Sequence, residues 1–288
     1  MPADRGPTVR RRRLAAELRR LRERAEMTLE QAASQVEWSV AKLSRIETAR
    51  VGINLADLRY LLKIYDVTDE RVEELVSLAR RARMRGWWES YADTLPSDYA
   101  SYIGLESEAA SLRCFDALTL NGLLQTTDYA RDVIRASLMA LSPPGEVERR
   151  VEVRTTRQRV LNREVNPLRL WTVIDEAVLR RQVGSSQVMK AQGDHLLELA
   201  ALPNVTVQVL PDGVGAHPAT TGTFSILEFP EPQDPDVVYL ETLTANIFVE
   251  DDAQAYRYAL AFDHLRAMAL GPEESKAFIA ALSAERTG

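Results

Sequence analysis

Cysteine and histidine are scarce in this 288-residue sequence. The single cysteine, Cys114, excludes an internal disulfide and a cysteine metal cluster, which fits a reducing compartment, and we expect a buried structural thiol. The three histidines, His195, His217 and His264, stand far apart and form no H-x-x-x-H or H-E-x-x-H pattern. The sequence therefore predicts no metal site and no cofactor.

Long apolar runs are also missing. No stretch of about 18 apolar residues is present to span a membrane. The N-terminal MPADRGPTVRRRR carries the positive charges of a signal peptide but no apolar segment follows them. We therefore expect a cytoplasmic protein that does not contact a membrane.

Catalytic motifs are absent as well. There is no G-x-S-x-G nucleophile motif, and GVGAHPATTG lacks the Lys-Ser/Thr that completes a phosphate-binding loop. Asp175 and Glu176 are adjacent, but neighbouring side chains on a helix point apart, and helix capping explains Asp175 better. The sequence predicts no catalytic residue. The alternative is a small-molecule hydrolase or transferase fused to a DNA-binding module, which would require a cleft with clustered carboxylates or histidines.

Charge is distributed unevenly along the chain. The net charge is −6, yet residues 1–86 carry 19 Lys and Arg against 13 Asp and Glu, whereas residues 87–288 carry 17 against 29. The first part has a net charge of +6 and the second a net charge of −12. Such asymmetry favours a nucleic-acid contact at the basic end. With the length, it predicts two domains, residues 1–85 and residues 86–288.

The first domain reads as five short helices. Leu14, Leu18 and Leu21 form an apolar stripe on the first helix, whose other faces are rich in arginine. Thr28 and Gln31 have the spacing of a capping box, and Ser39 and Asn54 are the expected N-caps of the third and fourth helices. A fifth helix follows Thr68 or Asp69. Two short helices joined by the three-residue EWS turn predict a helix-turn-helix.

The third helix lies in WSVAKLSRIETAR, Trp38 to Arg50, which contains one acid, Glu47. Leu43 and Ile46 are expected to face inward, which leaves short or basic donors outside. A helix in the major groove is flanked by phosphates, so acids on its outer face would be repelled. We interpret Glu47 as structural, either holding backbone amides after the helix or pairing with an arginine of the first helix. The run Arg10 to Arg13 is either a phosphate-binding arm or a floppy tail.

Residues 27–67, MTLEQAASQVEWSVAKLSRIETARVGINLADLRYLLKIYDV, resemble the Cro/repressor-like XRE class of helix-turn-helix domains. That class shares a T-x-x-[EQ]-x-A helix, a turn and an S-x-x-x-[LI]-S-x-[IL]-E helix. It commonly has Gly where this chain has Glu37 and Ala49, which implies backbone strain or a different turn geometry. The resemblance implies base contacts by Val40, Ala41, Ser44 and Arg45, phosphate contacts by Lys42 and Ser39, and a DNA-facing Arg50.

The second domain mixes helices with short β-rich runs. LRLWTVI, VTVQVLP, TFSILEF, VVYLETL and ANIFVED predict strands, while helical patterns precede them, separate the first two and close the chain. Helices first and a meander of strands afterwards favour an α+β fold with a small, mostly antiparallel sheet. The 211–222 loop is expected to be mobile. A small-molecule ligand would require an apolar pocket behind it, and a protein ligand an exposed apolar patch.

Seven motifs of this domain are YIGLESEA, GLLQTTDYAR, RQRVL, DEAVLRRQVG, VMKAQGDHLLELA, VQVLP and GAH before GTFSILEF. In that order they resemble the C-terminal domain of the actinobacterial regulator family typified by WhiJ, in which it follows an XRE-type helix-turn-helix. The function of that domain is not established. The resemblance implies a transcription factor, often paired with a small partner protein encoded nearby.

Together these observations predict a sequence-specific transcriptional regulator that binds double-stranded DNA. Its C-terminal domain is expected to receive a small-molecule or protein signal. We also expect a homodimer, because one recognition helix reads too few base pairs for the specificity of a regulator. The C-terminal domain has more apolar material to spare for the dimer contact.

Overall fold

The computed structural model describes residues 9–82, 86–91, 93–139, 141–231 and 234–286. The chain divides into two compact units, Met1–Ala92 with Pro96–Leu105 and Asp93–Leu95 with Glu106–Gly288. The predicted domain boundary after residue 85 falls at the 83–85 segment, outside the described residues. None of the described helices has the length and apolar character needed to cross a bilayer.

The N-terminal unit contains the five predicted helices, and their caps are confirmed. Thr28 and Gln31 form a reciprocal capping box, in which each side chain accepts a hydrogen bond from the other's backbone N–H. Ser39 Oγ accepts from the Lys42 N–H, and Asn54 Oδ1 accepts from the Asp57 N–H. The helices are α1 (Val9–Arg24), α2 (Leu29–Gln35), α3 (Val40–Glu47), α4 (Leu55–Ile64) and α5 (Asp69–Ala82).

One apolar core holds these helices together. Leu18, Leu43, Leu58, Leu61 and Leu75, drawn from α1, α3, α4 and α5, are almost completely buried. Each is worth roughly 1.5–3 kcal/mol of transfer free energy, so the core outweighs the low intrinsic stability of such short helices.

The prediction of an arm or tail at Arg10 to Arg13 is wrong. α1 begins at Val9, so these arginines lie in its first turns. Their side chains are partly buried rather than extended into solvent. The apolar stripe of Leu14 and Leu18 reaches the core and carries the helix back through the arginine run.

The turns on either side of α3 explain the two missing glycines. Glu37 has a φ of 54° and Ala49 a φ of 57°, both in the left-handed region that favours glycine. Of the two alternatives that the sequence left open, the structure therefore has the strained backbone. Each N–H still bonds within its turn, Glu37 to the Ser34 carbonyl and Ala49 to the Ile46 carbonyl.

The prediction of a small, mostly antiparallel sheet is wrong. The C-terminal unit contains a six-stranded mixed sheet in the order β3-β2-β1-β4-β5-β6. β1 pairs parallel with β2, and β2 parallel with β3, whereas β1–β4, β4–β5 and β5–β6 are antiparallel. The strands are β1 (Ser111–Asp116), β2 (Arg169–Asp175), β3 (Val205–Leu210), β4 (Phe224–Glu228), β5 (Val237–Glu241) and β6 (Asn246–Val249).

The error arose at β1, which the sequence pattern did not reveal. SLRCFD carries Arg113, Cys114 and Asp116, and it is buried nearly throughout instead of alternating. A strand in the interior of a partly parallel sheet loses the alternation that marks a half-exposed strand. Cys114 is fully buried there, which confirms the structural thiol.

Helices connect the parallel strands and cover the sheet. α7 (Thr127–Ser137) and α8 (Pro144–Arg157) lie between β1 and β2, and α9 (Glu176–Arg180) and α10 (Ser186–Leu199) lie between β2 and β3. Parallel strands need such long crossovers. The unit is completed by α6 (Ser97–Glu108), which begins in the other unit, and by α11 (Asp252–Met268) and α12 (Pro272–Glu285).

Candidate DNA-binding site

The orientation of α3 follows from its two apolar anchors. Leu43 and Ile46 are buried, at 0% and 3% exposure, in the core of the N-terminal unit. Residues about half a turn away must then face solvent. The predicted inward pair is confirmed, and its burial fixes which side of α3 a duplex can reach.

The opposite side of α3 forms an outward face that we call the α3 face. Val40 is 39% exposed, Ala41 and Arg45 are exposed, and Ser44 is half-buried between them. Thr48 is also exposed and continues the same row, one turn beyond Ser44, whose carbonyl accepts its Oγ1 hydrogen bond. The sequence reasoning missed Thr48. Its spacing of seven residues from Ala41 was the available signal.

Two arginines on this side have guanidinium groups that are not tied to acids. Arg45 Nε donates to the Ala41 carbonyl at 3.2 Å, so the side chain lies back along its own helix. Arg50 is exposed just after α3. Within the described part of the chain, neither arginine forms an ion pair, so both retain donors for an acceptor outside the protein.

Lys42, in contrast, is engaged within the protein. Its Nζ lies 3.0 Å from Asp57 Oδ2 of α4 and 3.6 Å from the centre of the Trp38 ring. A cation over an indole face and beside a carboxylate is attracted by both. A phosphate contact by Lys42 would therefore compete with the Asp57 carboxylate, which the sequence gave no means to see.

Glu47 pairs with an arginine of the first helix, as the second of its two predicted roles proposed. Arg22 Nε and Nη2 donate to its carboxylate at 2.9 Å each, and Arg22 Nη1 donates to the Met27 carbonyl at 2.8 Å. Both side chains are nearly buried, and the hydrogen bonds to Glu47 raise the pKa of Arg22. The pair ties the end of α3 to α1 and holds the one acid of the helix away from the α3 face.

The structure thus places all the predicted DNA-binding residues on one contiguous segment. Their direct contact with DNA stays a prediction. They are Ser39, Val40, Ala41, Lys42, Ser44, Arg45 and Arg50.

Carboxylates collect at one edge of the sheet in the C-terminal unit, where β1, β2 and β3 end. Asp116 is buried and accepts from Thr172 Oγ1 and the Asn121 N–H, both at 3.0 Å. Burial raises its pKa to about 7. Asp175 caps α9, as predicted, and Glu176 accepts from the Asp212 N–H at 3.0 Å. Each carboxylate has a structural partner.

The 211–222 loop packs on the sheet. Val214 and Ala219 join the apolar cluster of Phe115 and Phe224, and the His217 ring lies 5.3 Å from the Phe115 ring. A separate cavity between α9, α10 and α12 has a volume of about 20 Å³, room for about one water molecule. The described residues include no group of three or more potential metal ligands.

Two family models match this chain. Residues 13–75 match a helix-turn-helix domain, which covers α1 to α4 and the start of α5. Residues 99–281 match a domain of unknown function, DUF5753. Comparison with curated proteins and with solved structures gave no match. Because the second model covers more than half of its length, the chain belongs to the DUF5753 family, with a helix-turn-helix DNA-binding domain before that domain.

Proposed function

We propose that this protein is a sequence-specific transcriptional regulator of the WhiJ-like group, with an XRE-type domain that places α3 in the major groove. The α3 face carries this proposal. It offers apolar contacts from Val40 and Ala41, hydroxyls from Ser44 and Thr48, and a guanidinium from Arg45, while Glu47 is buried against Arg22.

These side chains suit the edges of base pairs. An arginine can donate two hydrogen bonds to guanine O6 and N7, and small apolar side chains can contact thymine methyl groups. Ser39 and Arg50 lie at the two ends of α3, where the sugar-phosphate backbones flank a helix in the groove. The α3 face therefore supplies base readout at its centre and phosphate contacts at its ends.

The regulator acts as a homodimer in this proposal, with the C-terminal domain supplying the dimer contact and receiving a signal. A protein signal, such as a small partner encoded nearby, is better supported than a small molecule. Pockets for drug-sized ligands measure about 300–1,000 Å³. The cavity beside α10 measures only about 20 Å³, and the 211–222 loop packs its apolar side chains onto the sheet.

We propose no catalytic role for the C-terminal domain. The carboxylates at the sheet edge serve as caps and hydrogen-bond acceptors for the backbone. A general acid or base needs an open position beside a reacting atom, and these groups are already occupied by structural donors.

Arg45→Ala tests the α3 face. We expect it to weaken binding to the preferred site by about 1–3 kcal/mol, and to relax preference at one base pair, because a bidentate base contact is lost. The measurement is fluorescence anisotropy with a duplex selected from a randomised pool by the full-length protein.

Arg59→Ala is the matched control, because it removes an exposed arginine that pairs with Glu73 away from the α3 face. We expect it to leave base preference unchanged. If Arg45→Ala binds with the affinity and preference of the unaltered protein, α3 does not read bases through Arg45.

A further inference from the structure

One side of α11 faces solvent with almost no charge. The exposed positions are Ala253, Tyr256, Arg257, Leu260, His264 and Ala267, which we call the α11 face. Tyr256 is 63% exposed and Leu260 41% exposed. We infer that two copies of this chain pair through the α11 face, with the two α11 helices antiparallel. This inference rests on the homodimer of the proposed function and names its contact surface.

The α11 face cannot turn inward, because the other side of the helix is anchored. Ala255, Phe262 and Leu265 are buried in the apolar cluster that also contains Phe115 and Ile226 of the sheet. Trp171 packs edge-on against Phe262 at 6.3 Å. Tyr256 and Leu260 therefore remain exposed in the single chain.

The α11 face differs from an ordinary solvated helix face in the same unit. α8 exposes Glu148, Arg149 and Glu152, a mixture of charges that keeps a surface hydrated. The α11 face has alanine, tyrosine and leucine at the corresponding outward positions and no acid. Contiguous apolar positions of this kind mark interaction sites more often than free surfaces.

The spacing of the small residues fits a second helix. Ala253, Leu260 and Ala267 are seven residues apart and so lie nearly in line along the helix. Leu260 is at the centre, and the alanines on either side allow two helices to approach closely. This arrangement is symmetric about Leu260, as a two-fold contact of a surface with itself requires.

Charge selects the antiparallel orientation. The chain enters α11 through Glu250, Asp251 and Asp252, whereas His264 and Arg266 lie near its other end. Parallel pairing would bring the two acidic ends together. Antiparallel pairing about Leu260 sets each acidic end beside the basic end of the other copy, and it also opposes the two helix dipoles.

The size of the α11 face predicts a weak dimer. A helix of 17 residues is about 25 Å long, and one face of it buries less than the ~800 Å² per partner of a standard stable interface. Pairing should thus be reversible in solution. Two adjacent half-sites on DNA would strengthen it by raising the effective concentration of the second copy.

Leu260→Glu tests the contact in the full-length protein. It introduces two facing acids at the symmetry centre, so we expect self-association measured by sedimentation equilibrium to weaken at least tenfold. Leu141→Glu is the matched control, since Leu141 is 80% exposed outside the α11 face, and it should leave self-association unchanged. Circular dichroism checks that both variants remain folded.

Single cysteines test the orientation. Cys114 is buried, so an introduced cysteine is the reactive thiol. Leu260→Cys should form a disulfide between copies under mild oxidation. Ala253→Cys should not, because antiparallel pairing separates the two thiols by about 20 Å. Efficient linking through Ala253→Cys but not Leu260→Cys would overturn the antiparallel arrangement.

Two other results separate this inference from the proposed function. If Leu260→Glu still dimerises while Ile247→Glu in edge strand β6 does not, the contact is the sheet edge and the inference fails, although the homodimer stands. If the unaltered protein is a monomer at every concentration and protects one asymmetric half-site in a footprint, the homodimer itself fails.

Discussion

At the residue scale, Lys42 shows how a basic side chain in a recognition helix can be held in reserve. Its ion pair with Asp57 leaves 39% of the lysine side chain and 30% of the aspartate side chain exposed. Exposed pairs of this kind contribute about 0–1 kcal/mol to stability. The Asp57 carboxylate therefore matters less for the fold than for the charge that α3 presents to DNA.

Asp57→Asn should strengthen binding to any duplex several-fold at low salt and steepen the salt dependence by about one charge, because Lys42 is released toward phosphate. Salt titrations of anisotropy with an unrelated duplex measure both effects. Glu73→Gln provides the control, since it removes an acid that pairs with Arg59 instead. An unchanged salt slope in Asp57→Asn would place Lys42 away from the phosphates.

At the element scale, the helix-turn-helix contains a strained turn. Glu37 is exposed and adopts a left-handed backbone between α2 and α3. That conformation costs a residue with a Cβ roughly 1–2 kcal/mol more than the right-handed one. The Ser39 cap and the burial of Leu43 and Ile46 offset this cost and hold the angle between the two helices.

Glu37→Gly should raise the free energy of unfolding of the N-terminal unit by about 1 kcal/mol. Urea unfolding followed by circular dichroism measures the change. Ser34→Gly, at an exposed position inside α2, should lower stability by about 0.5 kcal/mol instead. Ala49→Gly should be nearly neutral, because Ala49 is 3% exposed and loses about 0.8 kcal/mol of methyl burial as the strain is relieved. Destabilisation by Glu37→Gly would show that the glutamate side chain contributes more than its backbone costs.

At the scale of the whole molecule, the two units differ in charge and in what stabilises them, and pH should act on the C-terminal unit through Asp116. Its pKa of about 7 in the folded state exceeds the usual value near 4 of an unfolded chain. Between these values the folded protein holds a proton that the unfolded chain has lost. Asp116 thus contributes stability that is complete below about pH 4 and is lost as pH rises through about 7.

Asp116→Asn should remove this dependence, because the amide oxygen still accepts from Thr172 and the Asn121 N–H without carrying charge. We expect the variant to gain stability over the unaltered protein on going from pH 5 to pH 8, by a few kcal/mol at most. Urea unfolding at several pH values checks this, with the exposed Asp212→Asn as control. Parallel pH profiles for the unaltered protein and Asp116→Asn would contradict it.

The sequence by itself determined those features whose signals lie close together along the chain. The capping box of Thr28 and Gln31, the caps at Ser39 and Asn54, and the inward pair of α3 each depend on residues within one or two turns. The basic first part of the chain and the unusual residues at Glu37 and Ala49 were also visible. The five helices and the outward side of α3 therefore followed from local pattern.

Tertiary structure alone decided the features that depend on distant segments. β1 and β2 pair although α7 and α8 separate them, and the burial of β1 on both sides erased the alternation that would have marked it. The Lys42–Asp57 pair joins two helices, and the line of Ala253, Leu260 and Ala267 became an exposed face only because Phe262 and Leu265 anchor the other side of α11. A local pattern specifies which residues share a side of an element, whereas packing against other elements decides which side is covered.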